Sequence, residues 1–217
     1  MDELAIKALV LSHVRMAKSP GRRPLVAPEF SLGSSGVRAD LAILADEFIG
    51  VEIKSANDSL KRLSAQLQAY SSYFEQVIAV VAERHLSKMS NLDLHGAAVW
   101  ALSEDGSIRL EKEAAQTRPI NPCRLRDLMT QAEQRRLGVT GDKLPTDLRE
   151  AFADTFKRRY GSTSSLFWSS VGRRKIRVAD LSQLSRFSEI RTKQSQNRQA
   201  RTHFWENWAA QFEPVYT

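Results

Sequence analysis

Apolar and polar positions along the first half of the chain keep two rhythms, and each marks an element. From Asp2 to Lys18, Leu4, Leu9, Leu11, Val14 and Met16 spread over one broad face and predict a helix, capped by Asp2 and ended by Ser19-Pro20-Gly21. Leu25 to Phe30 reads as a strand, and Ser31 to Gly36 as a small-residue connection. The short apolar run Leu41 to Leu44, which Asp40 opens, is a second strand. After the turn Ala45-Asp46-Glu47, Ile49, Val51 and Ile53 alternate with Gly50, Glu52 and Lys54. Side chains two apart on a strand share a face, so Glu52 and Lys54 project together while the branched residues face the core.

Asn57 and Asp58 supply a turn and an N-cap for a helix from Ser59 to about Gln76, with Leu60, Leu63, Leu67, Tyr70 and Phe74 on its buried face. Gln76 to Ala82 is almost continuously apolar, which predicts a central parallel strand buried on both faces. A short helix over Leu86 to Asn91, a core strand over Gly96 to Leu102 and an edge strand over Ser107 to Glu113 follow. Strand, helix, strand order implies an α/β class with a mixed central sheet flanked by helices.

Beyond Thr117 the rhythm becomes helical. Arg118-Pro119 and Asn121-Pro122 divide the chain into a core over residues 1–117 and a mostly helical region over residues 118–217. Helices are expected over Cys123 to Leu137, Thr146 to Tyr160 and Leu181 to Phe212, with Gly161 to Gly172 as a loop. Phe204, Trp205, Trp208 and Phe212 form an aromatic cluster suited to packing or to self-association in a homo-oligomer.

Charge sharpens this division. Residues 1–115 hold 13 Lys and Arg against 15 Asp and Glu, whereas residues 116–217 hold 19 against 10. The net charge of +7 therefore belongs to the second region and points to a polyanionic partner. Arg158, Arg159, Arg173, Arg174, Lys175 and Arg177, beside Tyr160, Phe167 and Trp168, could grip a nucleic-acid backbone and stack a base; the alternative is a solvated basic loop. A single cysteine, Cys123, excludes an intramolecular disulfide and makes the reducing cytoplasm the default setting. No apolar run reaches the roughly 20 residues of a membrane span, no signal peptide is expected, and the histidines lack zinc-ligand spacing.

The chemistry concentrates in the predicted hairpin. Pairing its strands brings Asp40 across from Glu52 and Lys54. Two carboxylates about 4 Å apart repel by roughly 4 kcal/mol at an effective dielectric near 20, and one lysine neutralises only one of them. A hard divalent cation, magnesium or manganese, would satisfy both.

An Asp, a turn and Glu-x-Lys on the next strand resemble the PD-(D/E)XK nuclease superfamily, with its restriction-endonuclease-like fold. Gln66 and Tyr70 on the following helix match the Gln-x-x-x-Tyr pattern of its RecB-like branch, while Ala39 stands where the signature has proline. The resemblance, over about Leu25 to Leu102, implies a magnesium- or manganese-dependent nuclease acting on DNA rather than RNA. It makes Asp40, Glu52 and the Ile53 carbonyl metal ligands, Lys54 the catalytic lysine, and Gln66 and Tyr70 residues lining the site. Glu29 is then an accessory ligand or a surface glutamate, and Arg38 a phosphate contact or the partner of an acid. Lys61 and Arg62 are backbone contacts or solvated helix charges. The alternative function is a catalytically inactive nucleic-acid-binding or complex-forming module on the same fold.

Overall fold

The computed structural model describes residues 1–17, 23–139, 145 and 147–185. Helix α1, Glu3–Ala17, precedes the strands β1, Leu25–Ser31, β2, Arg38–Leu44, and β3, Phe48–Lys54. Helix α2, Leu63–Tyr73, leads to β4, Gln76–Ala82, and a short helix α3, Leu86–Met89, to β5, Ala98–Leu102, and β6, Ile108–Lys112. Helices α4, Pro122–Asp127, α5, Gln131–Arg136, and α6, Leu148–Val171, end in a 3-10 helix over Val178–Leu184.

The six strands form one sheet in sequence order. β1, β2 and β3 pair antiparallel, β4 joins β3 parallel through α2, β5 joins β4 parallel, and β6 closes antiparallel. This mixed sheet flanked by helices is the α/β class expected from the alternation of patterns.

Each face carries its own core. On one face, Ala42, Leu44, Phe48, Ala79 and Val81 pack with Leu67 and Tyr70 of α2, Leu125 of α4 and Phe152 and Phe156 of α6. On the other, Leu41, Ile43, Val51, Ile53, Ile78 and Val80 pack with Ile6, Val10 and Leu11 of α1 and with Phe167, Trp168 and Val171 of α6. Helix α6 thus serves both layers by crossing the outer edge of β1. Ser164 Oγ accepts the Val26 N–H at 2.9 Å, and Trp168 Nε1 donates to the Pro24 carbonyl at 2.8 Å. Covering an edge strand in this way removes a row of unpaired backbone groups from water. The region beyond residue 117 therefore contributes to both cores of the sheet.

Several boundaries differ from expectation. Helix α6 does not stop at Tyr160: the segment expected as a loop, Gly161 to Gly172, is helical to Val171. Its small polar residues hide the reason, which is that Tyr160, Ser164, Phe167, Trp168 and Val171 recur at helical spacing and are buried along the sheet edge. The single helix expected over Cys123 to Leu137 is two, because Thr130 opens a capping box with Glu133 and starts α5 afresh. Asp58 does not cap α2; its carboxylate accepts from Ser55 N and Ser55 Oγ, and the helix begins only after Arg62. The helix expected from Leu181 starts instead as the end of the 3-10 helix, which stops at Leu184 with Ser185 extended; the rest of it with its aromatic cluster, Phe204 to Phe212, the turn at Ser19-Pro20-Gly21 and most of the loop over 138–145 lie outside the described residues.

Candidate metal and phosphate site

The hairpin of β2 and β3 builds the site. Leu41 pairs with Val51, so Asp40 sits one step further along, where its Oδ2 accepts the Ile53 N–H at 2.7 Å. Glu52 is buried on the face covered by α2, with Lys54 Nζ 2.6 Å from its Oε1 and the Tyr70 hydroxyl donating to its Oε2. Gln66, one turn before Tyr70, has a buried Oε1 with no hydrogen-bond partner among the described residues. Asp40, Glu52, Ile53, Lys54 and Gln66 line one cavity of about 720 Å³, and Tyr70 is wholly buried behind Glu52. The five side chains expected to share a site are thus brought together from two strands and one helix.

Glu29 enters through a backbone irregularity. It has φ of 53°, in the left-handed region that non-glycine residues avoid. It lies between the pairs Pro28–Leu41 and Phe30–Ala39. Ala27 and Phe30, three apart, belong to the same core, as do Ala39 and Ala42, so the alternation of both strands slips at this level. Glu29 and Asp40 emerge side by side as a result. Carboxylate oxygens of Glu3, Glu29 and Asp40 all lie within 4.8 Å of one another.

Glu3, at the start of α1, is the acid that sequence reading missed. Its signal was Lys7 one turn later: this lysine is only 3% exposed and bonds to Glu3 at 2.6 Å and to Glu29. Burial alone would lower the Lys7 pKa, but its hydrogen bonds to Glu29 and Glu3 outweigh burial and raise it. Arg38 Nε bonds Glu29 Oε2 at 2.8 Å, so Arg38 is the partner of an acid here.

Five acids around the cavity, Glu3, Glu29, Asp40, Glu52 and Asp58, therefore meet four cations, Lys7, Arg38, Lys54 and Arg62. The uncompensated charge falls on Asp40. Burial, with the Glu52 carboxylate beside it, pushes its pKa up to about 7 from the ordinary carboxylate range. The Tyr70 hydroxyl is likewise raised by burial and by Glu52. A hard cation fits this set, since all the candidate donors are oxygens, one amide oxygen is unsatisfied, and the acid surplus needs positive charge.

The basic residues expected to hold nucleic acid fall into three groups. Arg38 and Arg62 line the cavity, with Lys61 exposed next to it. Arg159 is instead occupied inside the fold, paired with Glu133 and bonded to the Leu128 carbonyl at 2.9 Å; its neighbour Arg158 donates to Thr155 Oγ1. Arg173, Arg174, Lys175 and Arg177 form the third group. Arg15, near the opposite end of α1 from Glu3, donates to the Gly172 and Arg174 carbonyls. With about 1.5 Å of rise per residue, that loop is roughly 18 Å along α1 from the acid cluster. Arg174 is also paired with Asp180.

The family model described as Bacteriophage P4 protein cII matches residues 1–185. The chain belongs to the bacteriophage P4 cII family. Protein cII of Enterobacteria phage P4 is 33% identical over 171 residues, covering 69% of this chain and 65% of that protein. The cII-family chain thus spans slightly less than two thirds of this relative. A solved structure of a protein of unknown function from Silicibacter pomeroyi is 17% identical, with a TM-score of 0.43, covering 62% of this chain and 88% of that one. Among the described residues, no helix is long and apolar enough to cross a membrane.

Proposed function

We propose that this protein is a metal-dependent nuclease of the PD-(D/E)XK type, hydrolysing phosphodiester bonds in DNA rather than RNA. The observation that carries the reading is the convergence of Asp40, Glu52, Lys54 and Gln66 on one cavity, with Tyr70 holding Glu52 from behind. Asp40 and Glu52, with the Ile53 backbone and with Glu29 and Glu3 beside them, would hold magnesium or manganese. When bound, such an ion lowers the pKa of a water and neutralises charge on the phosphoryl oxygens. Lys54, bonded to Glu52, would orient the attacking water and offset charge developing on the phosphate. Tyr70 donates to Glu52 and fixes its carboxylate at the cavity wall, where it would hold the ion, and Arg62 would meet the incoming backbone. A cytoplasmic site of action goes with this reading, and the exposed, free Cys123 is compatible with it.

A binding-only module on the same fold is the second reading, and one observation favours it: both Glu52 oxygens already have partners, Lys54 and Tyr70. Labelled single-stranded, duplex and branched DNA and RNA, incubated with magnesium or manganese, separate the two. The nuclease reading expects products that disappear with EDTA and in Asp40→Ala, Glu52→Ala and Lys54→Ala variants that stay folded. Salt-sensitive binding without product under either ion, or equal cleavage by the variants, would overturn it.

A further inference from the structure

The loop between β1 and β2 forms one lip of the cavity, to which Ser31, Gly33, Gly36 and Val37 all contribute. It is small and exposed, yet it is pinned from outside the hairpin. A single oxygen, Asp127 Oδ2 at the end of α4, accepts the Ser34 N–H and the Ser34 hydroxyl, each at 3.0 Å, and the Tyr73 hydroxyl at 2.6 Å. Tyr73 lies at the end of α2, the helix that carries Gln66 and Tyr70. Arg124 completes the node, donating to the Tyr73 hydroxyl at 3.1 Å with its guanidinium 5.2 Å over the ring. Gly33 allows the close approach: its φ is +53°, and a Cβ there would lie 2.3 Å from the Asp127 carboxylate. Gly36, at φ of +71°, has nothing within 4 Å of where a Cβ would be, so the backbone lies open at that one position of the lip.

We propose that this lip is the element that grips the nucleic-acid backbone beside the acid cluster, and that Asp127 is the positioning residue that holds it. The inference rests on the nuclease or binding reading of the same cavity. Two features carry it. The lip lines the cavity without a carboxylate of its own. The anchor also joins the lip to the helix bearing Gln66, so the lip and the acid cluster keep a fixed separation. Asp127 itself touches no acid of the cluster, so its loss should change grip on the substrate rather than the ion site.

The test combines Asp127→Ala with the conservative Asp127→Asn, which keeps an accepting oxygen and remains informative if the alanine variant unfolds. Binding of labelled DNA is measured with calcium, manganese binding by titration, and lip order by hydrogen exchange at the Ser34 amide. Loss of several hydrogen bonds in Asp127→Ala should weaken DNA binding about tenfold and speed Ser34 exchange by at least about as much. Manganese affinity should stay unchanged, Asp127→Asn should fall between, and any cleavage should show a raised KM with kcat unchanged. Faster Ser34 exchange with unaltered DNA affinity would assign Asp127 a purely structural role and overturn the proposal, as would unchanged exchange. DNA binding without cleavage by the unmodified protein would defeat the nuclease reading while leaving this inference decided by affinity and exchange.

Discussion

Two clusters of charge in this molecule have opposite accounts. Glu133 takes both Arg159 nitrogens and the Thr130 backbone and hydroxyl. Burial would raise its pKa, but those donors bring it down to about 2. Every acceptor there is matched, as a structural ion pair requires. In the cavity the acids outnumber their cations, and Asp40 is pushed up to about 7 instead. The difference is what the proposed site rests on: a fold that matches Glu133, and Glu75 through Arg149, with a bidentate arginine gives Asp40 the Ile53 N–H instead.

The largest effect that sharpens this contrast is on chemistry. Lys54→Ala should lower cleavage by about 10²–10⁴-fold, as loss of a positioned proton-transfer or charge-stabilising group does. Arg159→Ala should leave the rate within about threefold, because its partner lies outside the cavity; rates measured on the folded variants check both. The order reverses for stability. Glu133→Ala strands a mostly buried arginine and should cost about 2–3 kcal/mol by denaturant unfolding, which is the usual loss discounted for the remaining solvent access.

The pH dependences should also oppose each other. The folded pKa of Glu133 lies below its unfolded value, so its contribution is present above the ordinary carboxylate range and is lost as pH falls towards about 2. The folded pKa of Asp40 lies above its unfolded value, so stability without metal should be highest near pH 4 and decline as pH rises to about 7. Ion binding must release the Asp40 proton, so manganese affinity should rise about tenfold per pH unit below 7 and level off above it. Unfolding curves and titrations across pH 4 to 8 check these slopes. The smallest effect is expected from Tyr70→Phe, which frees one Glu52 oxygen and should change manganese affinity by no more than about tenfold.

The hairpin and the crossover were legible in the sequence because their signals are local: Ile49, Val51 and Ile53 alternate, and Gln76 to Ala82 runs apolar without a break. The convergence of Asp40 with Glu52 followed from pairing alone. Glu3 was not legible, since its place beside Asp40 depends on how α1 docks on the far face of the sheet, a contact no local pattern encodes. The outward turn of Glu29 depends on a strained φ that a glutamate does not announce. Arg159 looked available because its partner, Glu133, lies 26 positions away on another helix. Helix α6 was cut short because Ser and Gly lower helix propensity, and burial along the β1 edge overrides that preference.

Calorimetric titration of manganese into the metal-free protein, beside Asp40→Ala and Glu133→Ala, addresses the unmatched charge most directly. Saturable binding that is lost in Asp40→Ala and retained in folded Glu133→Ala is the predicted result. Equal affinity in the unmodified protein and in Asp40→Ala would contradict it.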